Sequence, residues 1–270
     1  MVQTLLGMTL IASIILLLKQ EGRTTTQGNV GASTLQTYYD NMSDLMNNGH
    51  LRTAEPQSET RNTARASTLS VLHQLDAEGK AQVIHFLYEA NVISGAQPVV
   101  PLQLAELQNA NLHSANLQNA NLQNANLQNA NLQNANLQNA NLRFANLQSA
   151  NFQSADLRSA DLRFADLHFA DLRGAQLLSA KLQGAKLPGA NLQGVQLPSA
   201  QLPSANLQSA NLQAANLQSA NLHGANLQSA NLQSANLQSA NLQVATYDSN
   251  TRWPDGFDPQ AAGAKQKDTP

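Results

Sequence analysis

Between residues 105 and 244 apolar residues recur at spacings of two and then three positions without interruption, and nearly every other position is polar. Neither an α-helix, which repeats every 3.6 residues, nor a long strand, which alternates every two, fits that rhythm. It fits a chain that turns a corner every five residues. The phrase is Ala-Asn-Leu-x-x, as in Ala115-Asn116-Leu117-Gln118-Asn119, and it occurs twenty-eight times in phase. Leu holds the centre of each copy except at Phe152, and Ala stands two before it except at Val195. A repeat this short holds no core of its own, so the copies must bury Ala and Leu against one another in a stack. A narrow bore accounts for one large and one small inward residue, since a second Leu would overpack it. No channel for a ligand is expected.

The amino-terminal third follows other rules. Residues 1–18 carry no charged side chain, and Lys19, Glu21 and Arg23 close the apolar run. Eighteen residues is near the minimum that crosses a bilayer. A transmembrane anchor is expected, with a signal peptide and a buried helix as the alternatives. A signal peptide would want a basic leading region and a nearer small-residue site than Val30-Gly31-Ala32. Lys19 and Arg23 favour a single pass with the repeats in the cytoplasm. Residues 19–32 read as a linker.

Residues 33–94 predict a small α-helical domain. Ser33 and Gln36 make a capping box, followed by Leu35, Tyr38, Tyr39, Met42, Leu45 and Met46 at helical spacing, and Gly49 is expected to take a left-handed cap. A second helix starts near Ser58 and a third runs over 78–91. Residues 95–104 form a connector to the stack.

The uninterrupted Ala-Asn/Asp-Leu-x-x pattern resembles the pentapeptide repeat family over just over half of the chain. That resemblance implies a mainly β fold, a right-handed, four-sided β-helix with four repeats per coil and about seven coils here. At about 4.8 Å per coil the rod would be roughly 34 Å long. Ala245-Thr246-Tyr247-Asp248 with Trp253-Pro254 and Gly256-Phe257 resembles the terminal segment of such proteins, particularly cyanobacterial ones. The helical region resembles, less closely, one found between membrane segment and repeats in some of them.

Four repeats per coil make residues twenty apart vertical neighbours. Asp161 then lies below Lys181 and Asp166 below Lys186, predicting two cross-coil ion pairs that set register more than stability. Phe144 and Phe164 stack on one side and Phe169 stands around the next corner, with Arg143 and Arg163 beside them. Aromatic and Arg residues dominate binding hot spots, so these five form the candidate partner patch. Pro188-Gly189 matches the centre of a type II turn. A stack has two raw ends, and covers are expected from the helical domain and from a cap over 245–260. Tyr247, Trp253 and Phe257 make that cap a lid or a homodimer surface. Residues 261–270 read as a flexible tail.

Composition removes functions. With no Cys there is no disulfide or thiolate metal site. A net charge of −2 with 12% charged residues leaves no electrostatic footprint for nucleic acid. His113, His168 and His223 fall on different sides of the rod, and Asp156, Asp161, Asp166 and Asp171 on four successive sides, so neither set converges on a metal. No nucleophile, base or cofactor loop converges, and no enzyme, catalytic residue or cofactor is expected. Some pentapeptide repeat proteins mimic DNA toward type II topoisomerases. Residues 105–244 carry five acidic and six basic residues, a poor imitation. The leading expectation is a membrane-tethered scaffold with an unidentified protein partner. The alternatives are a DNA mimic and a self-assembling structural element.

Overall fold

The computed structural model describes residues 28–95 and 97–267. Residues 1–18, where the anchor is expected, lie outside the described residues. Among the described residues no helix is long and apolar enough to cross a membrane.

Among the described residues three helices precede the repeats: α1 over Gly28–Asn47, α2 over Glu59–Gln74 and α3 over Ala77–Glu89. Side-chain caps set the last two. Ser58 Oγ accepts from the Arg61 N–H, and Asp76 Oδ1 accepts from the Gly79 N–H at 2.8 Å. The first departs from expectation at both ends. It is already helical at Gly28, inside the expected linker, so Ser33 lies within the helix, where its C=O accepts from Thr37 Oγ1. A capping preference of about 1 kcal/mol does not stop a helix from propagating through residues that tolerate it. At the other end His50, with φ 51°, takes the left-handed conformation in place of Gly49. Gly49 is needed for closeness instead, since a Cβ there would lie 2.8 Å from the Leu45 carbonyl oxygen. Tyr38, Tyr39, Met42, Leu72, Phe86 and Leu87 are buried together, and this core runs without a break through Val92, Ile93 and Val100 into the repeats.

In the repeats, each second-position residue bridges in parallel to the residue twenty positions on, from Glu106↔Asn126 to Asn226↔Thr246. Four repeats therefore close one coil. Ala and Leu face the axis and are buried almost throughout. The backbone bonds explain why the other three positions are what they are. In Ala125-Asn126-Leu127-Gln128-Asn129 the Asn126 N–H donates down to the Ala105 C=O (2.9 Å). The Leu127 and Asn129 N–H groups donate up to the Asn146 and Gln148 carbonyls (2.7 and 2.9 Å). The Ala125 N–H closes a turn onto the Leu122 C=O at 3.0 Å. That leaves the Gln128 N–H, which donates to the Asn126 side-chain Oδ1 at 3.2 Å. All five donors are satisfied. Asn or Asp at the second position is thus an acceptor for the N–H two residues later, and Asn111 alone among these residues does not serve in this way.

Every corner is a type II turn. The fifth residue has positive φ in each repeat, 65° at Gly189 and 56° at Asn129, and this is why Asn, Ser and Gly fill it. Pro188-Gly189 is one instance of a rule that holds along the whole rod. Pro188, Pro198 and Pro203 sit at the fourth position after Lys186, Gln196 and Gln201, where no Asn or Asp offers an acceptor and a missing N–H costs nothing. Gln183 follows Lys181 in the same way but keeps its N–H. Gln183→Pro is therefore expected to stabilise the rod by about 0.4–1 kcal/mol, whereas Gln193→Pro, which breaks the bond to Asn191, gains less. Urea midpoints of the two variants measure the difference.

The stack is longer than the sequence match at both ends. Val100-Pro101-Leu102-Gln103-Leu104 forms a further repeat, with Val100 and Leu102 buried and Leu104 at φ 65°. Val fills the Ala position there as Val195 does. At the far end Thr246–Tyr247 (β1) pairs in parallel with Lys265–Gln266 (β2), in the register Thr246↔Lys265 and Tyr247↔Gln266. Residues 261–267 of the expected flexible tail are therefore part of the cap, because Gly263 at φ 87° turns the chain back and Ala264 fills an inward position. At the near end α2 and α3 cover the first coil: Arg65 Nη2 and Lys80 Nζ donate to the Gln103 and Gln108 carbonyls, each at 2.9 Å, and the Asn111 N–H donates to the Ala77 C=O. Burial lowers the pKa of Lys80, with Glu106 and Asp76 acting in the opposite sense.

Candidate functional site

Phe144, Phe164 and Phe169 occupy fifth positions, where positive φ at a corner throws the side chain outward. They are 47%, 44% and 70% exposed, unusual for Phe. The Phe144 and Phe164 rings stack at 5.2 Å with planes 10° apart. The Phe164 ring lies against Gly184 one coil on, where a Cβ would stand 2.6 Å from it, and Phe169 lies against Gly189 in the same way. Each glycine thus makes room for the ring below it. The Arg143 guanidinium sits 5.4 Å from the Phe144 ring centre, a cation–π distance.

The two Phe corners bound one side of the coil, and His168 and Asp166 stand on it between them, with His168 6.3 Å from the Phe169 ring. His168 belongs to this face. Its spacing from His113 and His223 hides this role, and its place next to Phe169 in the chain is the signal for it. Exposed Leu178 is hidden too, although it breaks the polar rule at its position.

The expected ion pairs form differently. Lys181 and Lys186 are the bridge partners of Asp161 and Asp166 on the next coil. The carboxylates, however, pair within their own repeats: Asp161 with Arg163 at 2.5 Å and Asp166 with His168. The reason is saturation. Asp166 Oδ1 accepts from the backbone and ring of His168 while Oδ2 accepts from Gln148 on the preceding coil, and Asp161 is filled by three donors of Arg163. Asp156 with Arg158 and Asp171 with Arg173 repeat the motif, so in four successive repeats the Asp pairs with the residue two positions on. All four carboxyls are held below the usual carboxylate range. The Arg158 hydrogen bond does most of this at Asp156. In the other three, partial burial pushes up and the hydrogen bonds from the residue two positions on outweigh it.

At the carboxyl-terminal end Tyr247 meets Trp253 edge-on at 5.5 Å, and Trp253 stacks on Phe257 at 5.3 Å. Tyr247 is buried and the other two are half-buried, packed against the last coil. Asp248 anchors this cap from a buried position, and its pKa is lowered. Burial acts against that, and hydrogen bonds from Ser229, Thr251 and Asn250 prevail.

A concavity lies beside the near end of the rod. Where α3 leans on the first coil there is a cleft of about 670 Å³ lined by Glu78, His85, Tyr88 and His113 among others. A rod read alone has flat sides; this hollow comes from a helix laid across its end.

The sequence profile of the pentapeptide repeats matches the chain in 8 copies, over residues 105–143, 140–177, 175–213 and 205–243. Among curated proteins nothing matches it. Among solved structures the chain is similar to HetL, a pentapeptide repeat protein involved in heterocyst differentiation regulation from the cyanobacterium Nostoc sp. strain PCC 7120. Identity is 33%, with 55% of this chain and 77% of HetL covered and a TM-score of 0.47. It is similar to Rfr23, a pentapeptide repeat protein from the cyanobacterium Cyanothece 51142, at 45% identity over 34% of this chain and 63% of that one, with a TM-score of 0.34. It is also similar to QnrB1, a plasmid-mediated fluoroquinolone resistance protein, at 18% identity over 54% of this chain and 84% of that one, with a TM-score of 0.29.

Proposed function

This chain belongs to the pentapeptide repeat family, and from that membership together with the aromatic face at residues 144–169 we propose that it is a non-enzymatic scaffold presenting a rigid β-helical rod to a protein partner. The rod on this reading is right-handed and four-sided, with about seven coils. Residues 1–18 tether it to a membrane, with the repeats on the cytoplasmic side. Their uncharged apolar run followed by Lys19 and Arg23 supports this.

The single observation that carries the reading is the cluster of Phe144, Phe164 and Phe169 on a mostly polar surface. Exposed aromatics bordered by Arg mark binding hot spots. The rigid backbone beneath them lowers the ordering cost of docking. Phe144→Ser with Phe164→Ser tests it, because Ser is the commonest corner residue and it tolerates positive φ at least as well. The double variant is expected to keep its thermal transition and to lose most partner recovery in a pull-down. Unchanged recovery would remove the patch from the reading.

The topoisomerase-directed DNA mimic is the weaker reading. Beyond the near-neutral count, the four Asp carboxylates are each already paired with a cationic or His side chain, which leaves little free negative charge for a DNA-binding surface to meet.

A further inference from the structure

Every coil but the first rests on the coil before it. In the first, the backbone edge at Asn116 meets no backbone partner among the described residues. Ala115 is part-exposed, whereas the Ala residues at the same position from Ala120 to Ala230 are buried. The Asn116 N–H and C=O have no hydrogen-bond partner among the described residues. One coil on, the Asn136 N–H donates to the Ala115 C=O at 3.0 Å and the Asn136 C=O accepts from the Leu117 N–H at 2.8 Å. The neighbouring side is closed, because the Asn111 N–H is taken by the Ala77 C=O at the start of α3. Helix α3 then diverges and leaves the cleft, in which Ala81, Ile84 and Tyr88 face Leu112, Ala115 and Asn116. The Tyr88 hydroxyl accepts from Asn116 Nδ2 at 2.8 Å and so fixes the distance between helix and edge.

We propose that this cleft binds an extended peptide segment carrying Lys or Arg, which adds to the Asn116 edge as a short parallel strand. An open edge beside an apolar floor is the setting for strand addition, with main-chain bonds supplying affinity and alternate side chains supplying selectivity. The residue facing inward must be small and apolar, because it packs under Ala115 as the Ala of a missing coil would. The outward residue meets Glu78 and Glu89, both in the cleft wall. Among the described residues neither carboxylate has an ion-pair partner. Nearby Lys80 is committed to the Gln108 carbonyl. The segment required, small apolar inward and basic outward, differs from anything the Phe face would hold, so the two surfaces are independent.

The test uses the full chain and a labelled peptide of sequence Ala-Lys-Leu-Gln-Gly-Ala-Lys-Leu, equivalent to residues 180–187, read by fluorescence anisotropy. Ala-Asn-Leu-Gln-Ser-Ala-Asn-Leu, equivalent to residues 225–232, is the neutral control. Saturable binding of the Lys peptide is expected, weakened by added salt and weaker for the neutral peptide. Glu78→Gln with Glu89→Gln should lower its affinity roughly three- to tenfold. Hydrogen exchange at the Asn116 amide should slow when peptide is bound, which a purely electrostatic surface contact would not produce. Failure of the Lys peptide to bind, equal binding of the two peptides, indifference to the double variant, or unchanged exchange at Asn116 would each overturn the proposal.

Discussion

Phe152→Ala is expected to destabilise the rod by about 3–5 kcal/mol, while Phe152→Leu costs less than about 1.5 kcal/mol. Phe152 is fully buried at a position that holds Leu in every other repeat. Its backbone bonds are those of any repeat: the N–H donates to the Asp171 C=O at 2.7 Å and the C=O accepts from the Ala155 N–H at 3.0 Å. The effect of truncation is therefore a matter of filled volume on the axis. Ala leaves a void that the coils above and below cannot close, because their own spacing is fixed by the ladder. A mid-rod void also weakens coupling between the two halves of a stack whose stability is a sum of neighbour terms. Urea denaturation followed by circular dichroism measures both variants. Similar midpoints for Phe152→Ala and wild type would mean that the bore is not close-packed.

The second large effect is expected at Asp248. Asp248→Ala removes the acceptor for the Ser229 N–H (2.8 Å), Ser229 Oγ (2.9 Å), the Asn250 N–H and Thr251 Oγ1 (both 3.0 Å). Leaving such donors unsatisfied costs about 2–4 kcal/mol in total once water reaches some of them. The carboxylate's pKa is lower in the folded protein than in the unfolded chain. Its contribution is therefore complete near neutral pH and fades as the pH falls through about 4 and below, where the unfolded chain takes up the proton first. Thermal midpoints across that range should drop in the wild type, and the gap to Asp248→Ala should narrow with acid. A loosened cap also frees the edge of the last coil, where the Leu237 and Leu242 N–H groups have no partner among the described residues. Concentration-dependent association of the variant in sedimentation should follow.

What was legible in the chain was whatever repeats. The gaps of two and three between Ala and Leu set inward against outward positions, and the resemblance carried by the repeat supplied the twenty-residue register seen in the bridges. Ser58 at the start of α2 was legible because a cap acts on the N–H groups beside it. Irregular copies were harder: Val100-Pro101-Leu102 keeps both inward residues and Ala264-Lys265-Gln266 only the first, and both lose the Asn, so pattern matching stopped short of both. The ion pairs failed for another reason. Register places Lys181 next to Asp161, but the choice of partner depends on which lone pairs the turn has already used. The cleft depends on Arg65 and Lys80 reaching carbonyls 38 and 28 residues away, and no local pattern encodes such a docking.

The central claim is that one face of the rod, marked by Phe144, Phe164 and Phe169, docks a protein. Photo-cross-linking in intact cells from a benzophenone side chain at position 169 tests it most directly, with position 209 as the control. Ser209 lies at the same corner column, forty residues further along the rod and away from the aromatic rings. The account expects a discrete adduct from position 169, absent from 209 and lost when Phe144→Ser and Phe164→Ser are present. The same adduct from both positions, or one that survives the double substitution, would contradict it.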